Sequence, residues 1–374
     1  MTKYNVTSGF LGAGKTTSMM ALAKSINSRG LGSAAVLIDD LGAKNIVDAD
    51  YTAACGVPSM SISGDCICYQ HENLIDKLHQ LEKGGANVIF SDIPGLGIGA
   101  LDNVYLQMKK REPGEFDLMP FTCIVDPERI RMIMPEAADI NLPKELSFLL
   151  DAQMKEADLI ILNKTDTVSE ARKEEILRFI KAGYPQAEVM AFCALTGEGV
   201  DEAADYLLSS HAPAEHRDIG YGSEAFMLAE SKLCWYNRRV FLEQKENRNL
   251  DFNQVFSGIF EDIREGLKEK GGNVPHLKMF ASDSETAPTD VFKASLIGID
   301  YETDFTQKLK YDYSAISLNI NARAAASAQD MSDIVEDAIE KAADKYQLRT
   351  RTYFLESFGM MDEGRGNTGR ASKY

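Results

Sequence analysis

The stretch that decides the fold is a glycine-rich run near the start of the chain, Gly9-Phe10-Leu11-Gly12-Ala13-Gly14-Lys15-Thr16, which fits the pattern G-x-x-x-x-G-K-[ST]. Residues 4–7 before it read as a strand, and residues 16–27 after it place apolar side chains at helical spacing. Such a turn lets successive N–H groups face one cluster of phosphate oxygens, and the helix N-terminus adds to the attraction. The run therefore predicts a phosphate-binding loop rather than an ordinary glycine-rich turn.

Side chains for the phosphate and for Mg²⁺ come from three places in the sequence. Lys15 can reach the β- and γ-phosphates, and the Thr16 hydroxyl can bind Mg²⁺. A D-x-x-G motif ends a predicted strand, so Asp92 can hold Mg²⁺ through a water and the Gly95 amide can meet the γ-phosphate. Asp40 ends another predicted strand and is a further Mg²⁺ candidate, with a solvated acidic loop as the alternative. We assign catalysis to Lys15, Thr16 and Asp92.

A base-reading motif follows much later, as Asn163-Lys164-Thr165-Asp166 at the end of a predicted strand. The Asp166 carboxylate can accept hydrogen bonds from guanine N1–H and N2–H₂, a donor pair that adenine lacks. Asn163 can contact the purine and brace the phosphate loop, while the Lys164 stem can cover the ring. Ala194 could offer its N–H to guanine O6. The motif predicts guanine specificity.

Two cysteines lie one residue apart at Cys66 and Cys68. Thiolates favour Zn²⁺ or other borderline-soft metals, but two ligands do not fill a tetrahedral site. Cys55, His71 or a second subunit could complete it. The alternative is a pair of small, half-buried cysteines without a metal.

Together, these motifs resemble those of the CobW/HypB/UreG family of metal-centre P-loop GTPases, and most of all its CobW-like branch. The resemblance extends over about residues 1–210. It implies a G domain followed by a smaller C-terminal domain, and a client that is a metalloenzyme or corrinoid protein. It also implies that the nucleotide is held by the loop residues Gly12, Ala13, Gly14, Lys15, Thr16 and Thr17 and by the motif residues Asn163, Lys164 and Asp166.

The chain departs from the family pattern at three motifs. The family's Asn-Glu-Phe-Gly switch segment corresponds to Asp39-Asp40-Leu41-Gly42, and its usual Walker B Glu is Asp92. Its C-x-C-C metal motif is reduced to Cys66-Ile67-Cys68, with Tyr69 in place of the third cysteine. GTP or GDP with Mg²⁺ is still expected as the bound cofactor, whereas Zn²⁺ or Co²⁺ on Cys66 and Cys68 remains one of two open readings.

Short apolar runs alternate with helical patterns through the first part of the chain, which is typical of a mainly parallel sheet covered on both faces. We predict a P-loop GTPase domain at 1–212, an α/β domain. A smaller α+β domain, a split βαβ sandwich in the simplest reading, is predicted at 223–358, with a strand at 226–233 and a flexible tail at 359–374.

The amino-acid composition excludes some classes of binding partner. Asp plus Glu number 57 and Lys plus Arg 40, giving a net charge of −17, which repels nucleic acid and anionic membranes. No apolar window is long enough for a transmembrane helix, and six cysteines are too sparse for a disulfide framework. We expect a cytoplasmic protein.

The expected function is slow, Mg²⁺-dependent GTP hydrolysis in an accessory factor or metallochaperone for a metallo- or corrinoid-dependent enzyme. The alternative is a nucleotide-dependent binding module or regulator that transfers no metal. The resembling family often dimerises, so a homodimer is one of the oligomeric states left open.

Overall fold

The computed structural model describes residues 1–40, 56–135, 142–284 and 288–359. The chain forms two compact units, one made of Met1–Ile140 with Lys144–Phe226 and the other of Asn141–Pro143 with Met227–Tyr374. Cys55, the side chain of Asp40 and the predicted tail from residue 360 onward lie outside the described part.

The first unit is built on a sheet of eight described strands, all paired in parallel, in the order β3-β2-β4-β1-β6-β7-β8 with β5 beside β1. This arrangement confirms the predicted α/β class. The strands are β1 (Thr2–Ser8), β2 (Ala34–Asp40), β3 (Ser59–Ser63), β4 (Val88–Asp92), β5 (Phe116–Leu118), β6 (Thr122–Val125), β7 (Leu159–Leu162) and β8 (Glu188–Ala191). The helices are α1 (Lys15–Ser28), α2 (His71–Lys83), α3 (Leu106–Arg111), α4 (Leu146–Glu156), α5 (Glu170–Gly183) and α6 (Val200–Ser209).

Burial explains why the strands of this sheet read as apolar runs. Every residue of β4, β6 and β7 is buried. Strands covered on both faces lose the alternation of polar and apolar residues that one-sided sheets show. Because all strands are parallel, their carboxyl ends meet at one edge, so the loops after β1, β4 and β7 lie at the same edge of the sheet.

The second unit is an antiparallel sheet in the order β12-β11-β10-β13-β9-β14. β13 lies between β9 and β10, and β9 lies between β13 and β14, which is the split βαβ arrangement that the sequence predicts. Two helices, Phe252–Glu269 and Ala328–Tyr346, pack their apolar faces on this sheet, and their buried residues form one hydrophobic core with those of the strands. The elements are β9 (Cys234–Gln244), α8 (Phe252–Glu269), β10 (Asn273–Ser282), β11 (Val291–Leu296), β12 (Asp304–Gln307), β13 (Ala315–Ala325), α9 (Ala328–Tyr346) and β14 (Leu348–Gly359).

The predicted strand at 226–233 is wrong. Helix α7 occupies Glu224–Glu230, and the strand begins only at Cys234. The run Phe226-Met227-Leu228-Ala229 is apolar but contains no β-branched residue, and Ala, Leu and Met are good helix formers. A short apolar run does not by itself distinguish a strand from a helix.

Among the residues that the structure describes, no helix combines the length and the apolar character needed to cross a membrane.

Candidate nucleotide-binding site

The glycine-rich loop runs from the end of β1 to the start of α1. Gly9 and Gly14 have positive φ angles of 140° and 93°. A Cβ on Gly9 would lie 2.3 Å from the carbonyl oxygen of Ile124, and one on Gly14 would lie 2.5 Å from Nδ2 of Asn163. The loop therefore touches β6 on one side and the base-reading motif on the other, at two positions that only glycine fits.

The side chain of Lys15, at the end of the loop, reaches back to the start of the loop. Lys15 Nζ donates a hydrogen bond to the carbonyl oxygen of Gly9 at 2.8 Å, so its side chain spans the loop from the helix start to the loop start. Thr16 is buried, Ala13 is fully buried, and Thr17 is half-buried. The Lys15 ammonium group therefore lies against the backbone of the loop, and a polyphosphate bound by the loop would place negative charge near it.

Asp92 lies at the same edge of the sheet, because β4 pairs with β1 and sets Asp92 opposite Thr7. It is 5% exposed, and its Oδ1 accepts a hydrogen bond from the N–H of Asp39 at 2.9 Å. Three residues later, Gly95 approaches the phosphate loop so closely that a Cβ would lie 3.1 Å from the backbone nitrogen of Leu11. The D-x-x-G segment is therefore in contact with the phosphate loop.

Asn163 joins the base-reading motif to the phosphate loop. It is 3% exposed, its Nδ2 donates to the carbonyl oxygen of Ala13 at 2.9 Å, and its Oδ1 accepts from the N–H of Ala194 at 3.1 Å. Lys164 has a left-handed backbone (φ 58°), and its Nζ donates to the carbonyl oxygen of Gly12 at 2.5 Å. The two segments therefore form one continuous surface.

Asp166 lies beyond Lys164 in a short 3₁₀ turn, Thr165–Thr167. The Cys193 thiol, which is 1% exposed, donates to Asp166 Oδ1 at 3.1 Å. A donor on one carboxylate oxygen fixes the orientation of the group, and the other oxygen keeps its acceptor capacity. The sequence did not single out Cys193, although it directly precedes Ala194.

The two thiols of the C-x-C pair lie near the end of β2. Asp39 Oδ2 accepts from the N–H of Ile67 at 2.9 Å, and the N–H of Cys68 donates to Cys66 Sγ at 3.4 Å. Burial raises the pKa of the Cys66 thiol well above its usual value, and the neighbouring Cys68 thiol raises it further, whereas the hydrogen bond from the Cys68 N–H lowers it. Burial also raises the pKa of the Asp39 carboxyl, and the neighbouring Cys66 adds to this.

These groups fit a soft metal only in part. Within the described ranges, no three Cys, His, Asp or Glu side chains are grouped so that they could hold an ion. Cys66 and Cys68 supply the soft donors, and the buried Asp39 Oδ1 has no hydrogen-bond partner among the described residues. The structure thus brings Asp39 to the thiols, a neighbour that the sequence did not predict for them; Asp40, which the sequence named as a candidate for Mg²⁺, has a side chain outside the described part.

Sequence reasoning also missed Asp126 and Arg129. Asp126 directly follows β6, and its Oδ1 accepts the N–H of Arg129 at 3.0 Å. Arg129 is 1% exposed, and its Nε donates to the carbonyl oxygen of Leu11 in the phosphate loop at 3.0 Å. The available signal was a polar pair immediately after a fully buried strand, at the edge where the recognised motifs lie.

Comparisons with known proteins find similar sequences for about half of the chain. A family model described as "CobW/HypB/UreG, nucleotide-binding domain" matches residues 3–191, half of the chain. The zinc chaperone YeiR of Escherichia coli (strain K12) is 28% identical over 183 residues, which are 48% of this chain and 51% of that protein. The chain thus spans about half the length of this curated relative.

Two solved structures show weaker likeness. HypB from Helicobacter pylori in complex with nickel is 17% identical, with 56% of this chain and 86% of that chain covered and a TM-score of 0.40. Zn(II)-bound YjiA GTPase from E. coli is 15% identical, with 91% and 98% covered and a TM-score of 0.36. Both scores are low, and neither likeness supports an argument about function.

Proposed function

The chain belongs to the CobW/HypB/UreG family, and from this premise we propose that it binds GTP and GDP and hydrolyses GTP slowly with Mg²⁺. In this proposal it is an accessory factor or metallochaperone for a metallo- or corrinoid-dependent client enzyme. The proposed setting is the reducing cytoplasm, since six cysteines in the chain are too sparse for a disulfide framework.

The observation that carries nucleotide binding is the bridge made by Asn163. One buried amide contacts the phosphate loop at Ala13 and the neighbouring base-side loop at Ala194. Together with Lys164, which donates to the carbonyl oxygen of Gly12, this amide holds the phosphate and base sites at a fixed distance from each other. This arrangement suits a nucleotide whose two ends must be recognised together.

Guanine recognition is assigned to Asp166 and the N–H of Ala194. The carboxylate would accept from N1–H and N2–H₂, and the amide would donate to O6. Adenine offers no such donor pair and would leave the carboxylate desolvated without a partner. We therefore expect GTP and GDP to bind much more tightly than ATP.

Hydrolysis is assigned to Lys15, Thr16, Asp92 and Gly95. Lys15 would offset charge on the phosphate oxygens, and the Gly95 amide would meet the γ-phosphate. Thr16 and Asp92 would hold Mg²⁺, which supplies further neutralisation of that charge when bound; their oxygen donors fit this hard cation. The assigned groups contain no arginine finger and no water-positioning glutamine, so slow turnover in the isolated protein follows.

Metal transfer is the finer part of the proposal. It is supported by the sequence similarity to the zinc chaperone YeiR and by the two thiols beside Asp39. Zn²⁺ or Co²⁺ would be the cargo, completed by a client or by a second subunit in a homodimer. The reduced cysteine motif favours the alternative, a nucleotide-dependent binding module that transfers no metal.

The test of guanine recognition is binding of GTP, GDP and ATP to the wild type and to Asp166→Asn. We expect the substitution to reduce the preference for guanine over adenine by about 2 kcal/mol, since it removes a charged acceptor. Asp218→Asn, at an exposed carboxylate of the same unit, is the matched control. Unchanged discrimination in Asp166→Asn would refute the assignment.

Metal transfer is tested separately by titrating Zn²⁺ and Co²⁺ into the wild type and a Cys66→Ser/Cys68→Ser double variant. We expect metal affinity to fall at least about tenfold in the double variant, because thiolates are the soft donors. Cys234→Ala removes a buried thiol of the second unit and serves as control. Equal affinity in wild type and double variant would leave the binding-module alternative.

A further inference from the structure

Helix α4 holds residues 92–101, which begin with the D-x-x-G motif and are called the D-x-x-G segment here, through two side chains that lie one turn apart. Gln153 Nε2 donates to the carbonyl oxygens of Gly95 at 3.1 Å and Gly97 at 3.0 Å. Glu156 accepts from the N–H of Gly99 at 2.9 Å and from that of Leu101 at 2.6 Å. Four backbone groups of one segment are therefore bound by one face of one helix.

The two side chains have complementary roles. An amide NH₂ can donate twice and suits two carbonyls, whereas a carboxyl group has two oxygens that can accept, in either protonation state, and suits two N–H groups. Both side chains are buried, Gln153 at 0% and Glu156 at 1% exposure. Gln153 Oε1 is itself buried with no hydrogen-bond partner in the described part of the chain. An unsatisfied buried acceptor is costly, and the two hydrogen bonds that the Gln153 amide donates to Gly95 and Gly97 offset this cost.

The segment depends on this helix for its position. Its apolar residues, such as Leu96 and Ile98, are buried, but the glycines at 95, 97 and 99 have no side chains to hold them, so at those positions the contacts from α4 to the backbone fix the segment. Gly95 is in contact with the phosphate loop, since a Cβ there would lie 2.5 Å from Leu11 Cδ2. A shift of the segment away from α4 would move the Gly95 amide relative to the loop that surrounds the phosphates.

We propose that Gln153 and Glu156 are positioning residues that fix the D-x-x-G segment, so that the Gly95 amide meets a γ-phosphate and the protein distinguishes triphosphate from diphosphate. This inference rests on the proposed nucleotide binding. A shift of the segment between the GTP and GDP states would then also shift helix α4, because Gln153 and Glu156 bind the segment. A merely structural contact would support both nucleotide states equally.

The experiment measures the affinities of full-length wild type and Gln153→Met for a non-hydrolysable GTP analogue and for GDP, both with Mg²⁺. Methionine keeps the length and the burial but has no donor. We expect affinity for the GTP analogue to fall about tenfold, while affinity for GDP changes less than about threefold. An equal fall for both nucleotides, or no fall, would overturn the proposal.

Gln186→Met is the matched control. Gln186 also donates to two backbone carbonyls, those of Met154 and Lys155, but it does not touch the D-x-x-G segment. It should leave both affinities unchanged. If the wild type binds neither nucleotide, the proposed function itself fails; if it binds both and Gln153→Met keeps their ratio, only the positioning role fails.

A measurement on the wild type covers the case in which Gln153→Met does not fold. Amide hydrogen exchange is compared between the GDP and GTP-analogue states for peptides covering 92–101 and 146–156. We expect protection to rise in both peptides together with the GTP analogue, since the side chains of α4 hold the segment. A change confined to the segment, or none in either peptide, would overturn the proposal.

Discussion

At the residue scale, the site depends on side chains that satisfy two backbone groups at once. Asn163 does so: it donates to the carbonyl oxygen of Ala13, 150 positions earlier in the sequence, and accepts from the N–H of Ala194, 31 positions later. Removing such a buried side chain leaves a carbonyl and an N–H without partners, which costs about 1–3 kcal/mol for each group. The geometry of the site is therefore sensitive to single substitutions that never touch a ligand.

Cys193 offers a test at this scale. Its thiol donates to Asp166 Oδ1, so Cys193→Ala should let the carboxylate rotate and weaken guanine binding by about 1 kcal/mol, roughly fivefold. Cys193→Ser keeps a donor at the same place and should retain most of the affinity. GTP and ATP affinities are measured by calorimetry for all three proteins.

ATP is the internal control for Cys193, because it shares the phosphates and lacks the guanine contacts. Its affinity should be the same in wild type, Cys193→Ala and Cys193→Ser. Equal losses of GTP affinity in the two variants would mean that packing, and not the hydrogen bond to Asp166, explains the effect.

At the element scale, the sequence predicts the parallel sheet well and the antiparallel sheet less well. The apolar run of β7 contains two β-branched isoleucines and ends at a turn motif, and these two features favour a strand over a helix. β9 was not recognised, because Arg238 interrupts its apolar face between Tyr236 and Val240. That guanidinium is buried on the helix side, where it pairs with Glu336 of α9. Only the packing of α9 on the sheet reveals the partner that makes a charge tolerable there.

The site likewise contains parts that the sequence predicts and parts that only the structure reveals. The phosphate loop, D-x-x-G and N-K-x-D are contiguous patterns, so spacing alone could suggest them. Arg129 and Gln153 act on those patterns from other elements, through one or two hydrogen bonds to backbone carbonyls. An isolated polar residue on a helix or in a turn has no local signature, so such residues emerge only from the three-dimensional arrangement.

At the scale of the whole molecule, stability should depend on pH through the same helix. Burial raises the pKa of Glu156 from 4.5 to about 7, against the opposing effect of its hydrogen bonds from Leu101 and Gly99. Nearby Asp102 raises the pKa further, and Arg217 lowers it. Between these two pH values the folded protein holds a proton that the unfolded chain has lost, so stability falls as pH rises through this window. The net charge of −17 acts in the same direction, since self-repulsion grows as acids ionise.

Glu156→Gln should remove the contribution of this carboxyl group to the fall of the free energy of unfolding with pH. The free energy of unfolding is measured with urea at about pH 5.5 and about pH 8, and the wild type should lose about 2 kcal/mol more across this interval than the variant. The other charges titrate in both proteins, so the difference between their slopes isolates Glu156, even if Gln lowers stability at every pH. Glu174→Gln removes an equal charge from an exposed site of the same unit and should keep the wild-type slope. Identical slopes in wild type and Glu156→Gln would mean that the Glu156 carboxyl group is ionised across this pH range. The hydrogen bonds from Gly99 and Leu101 would then favour its charged form more than burial disfavours it.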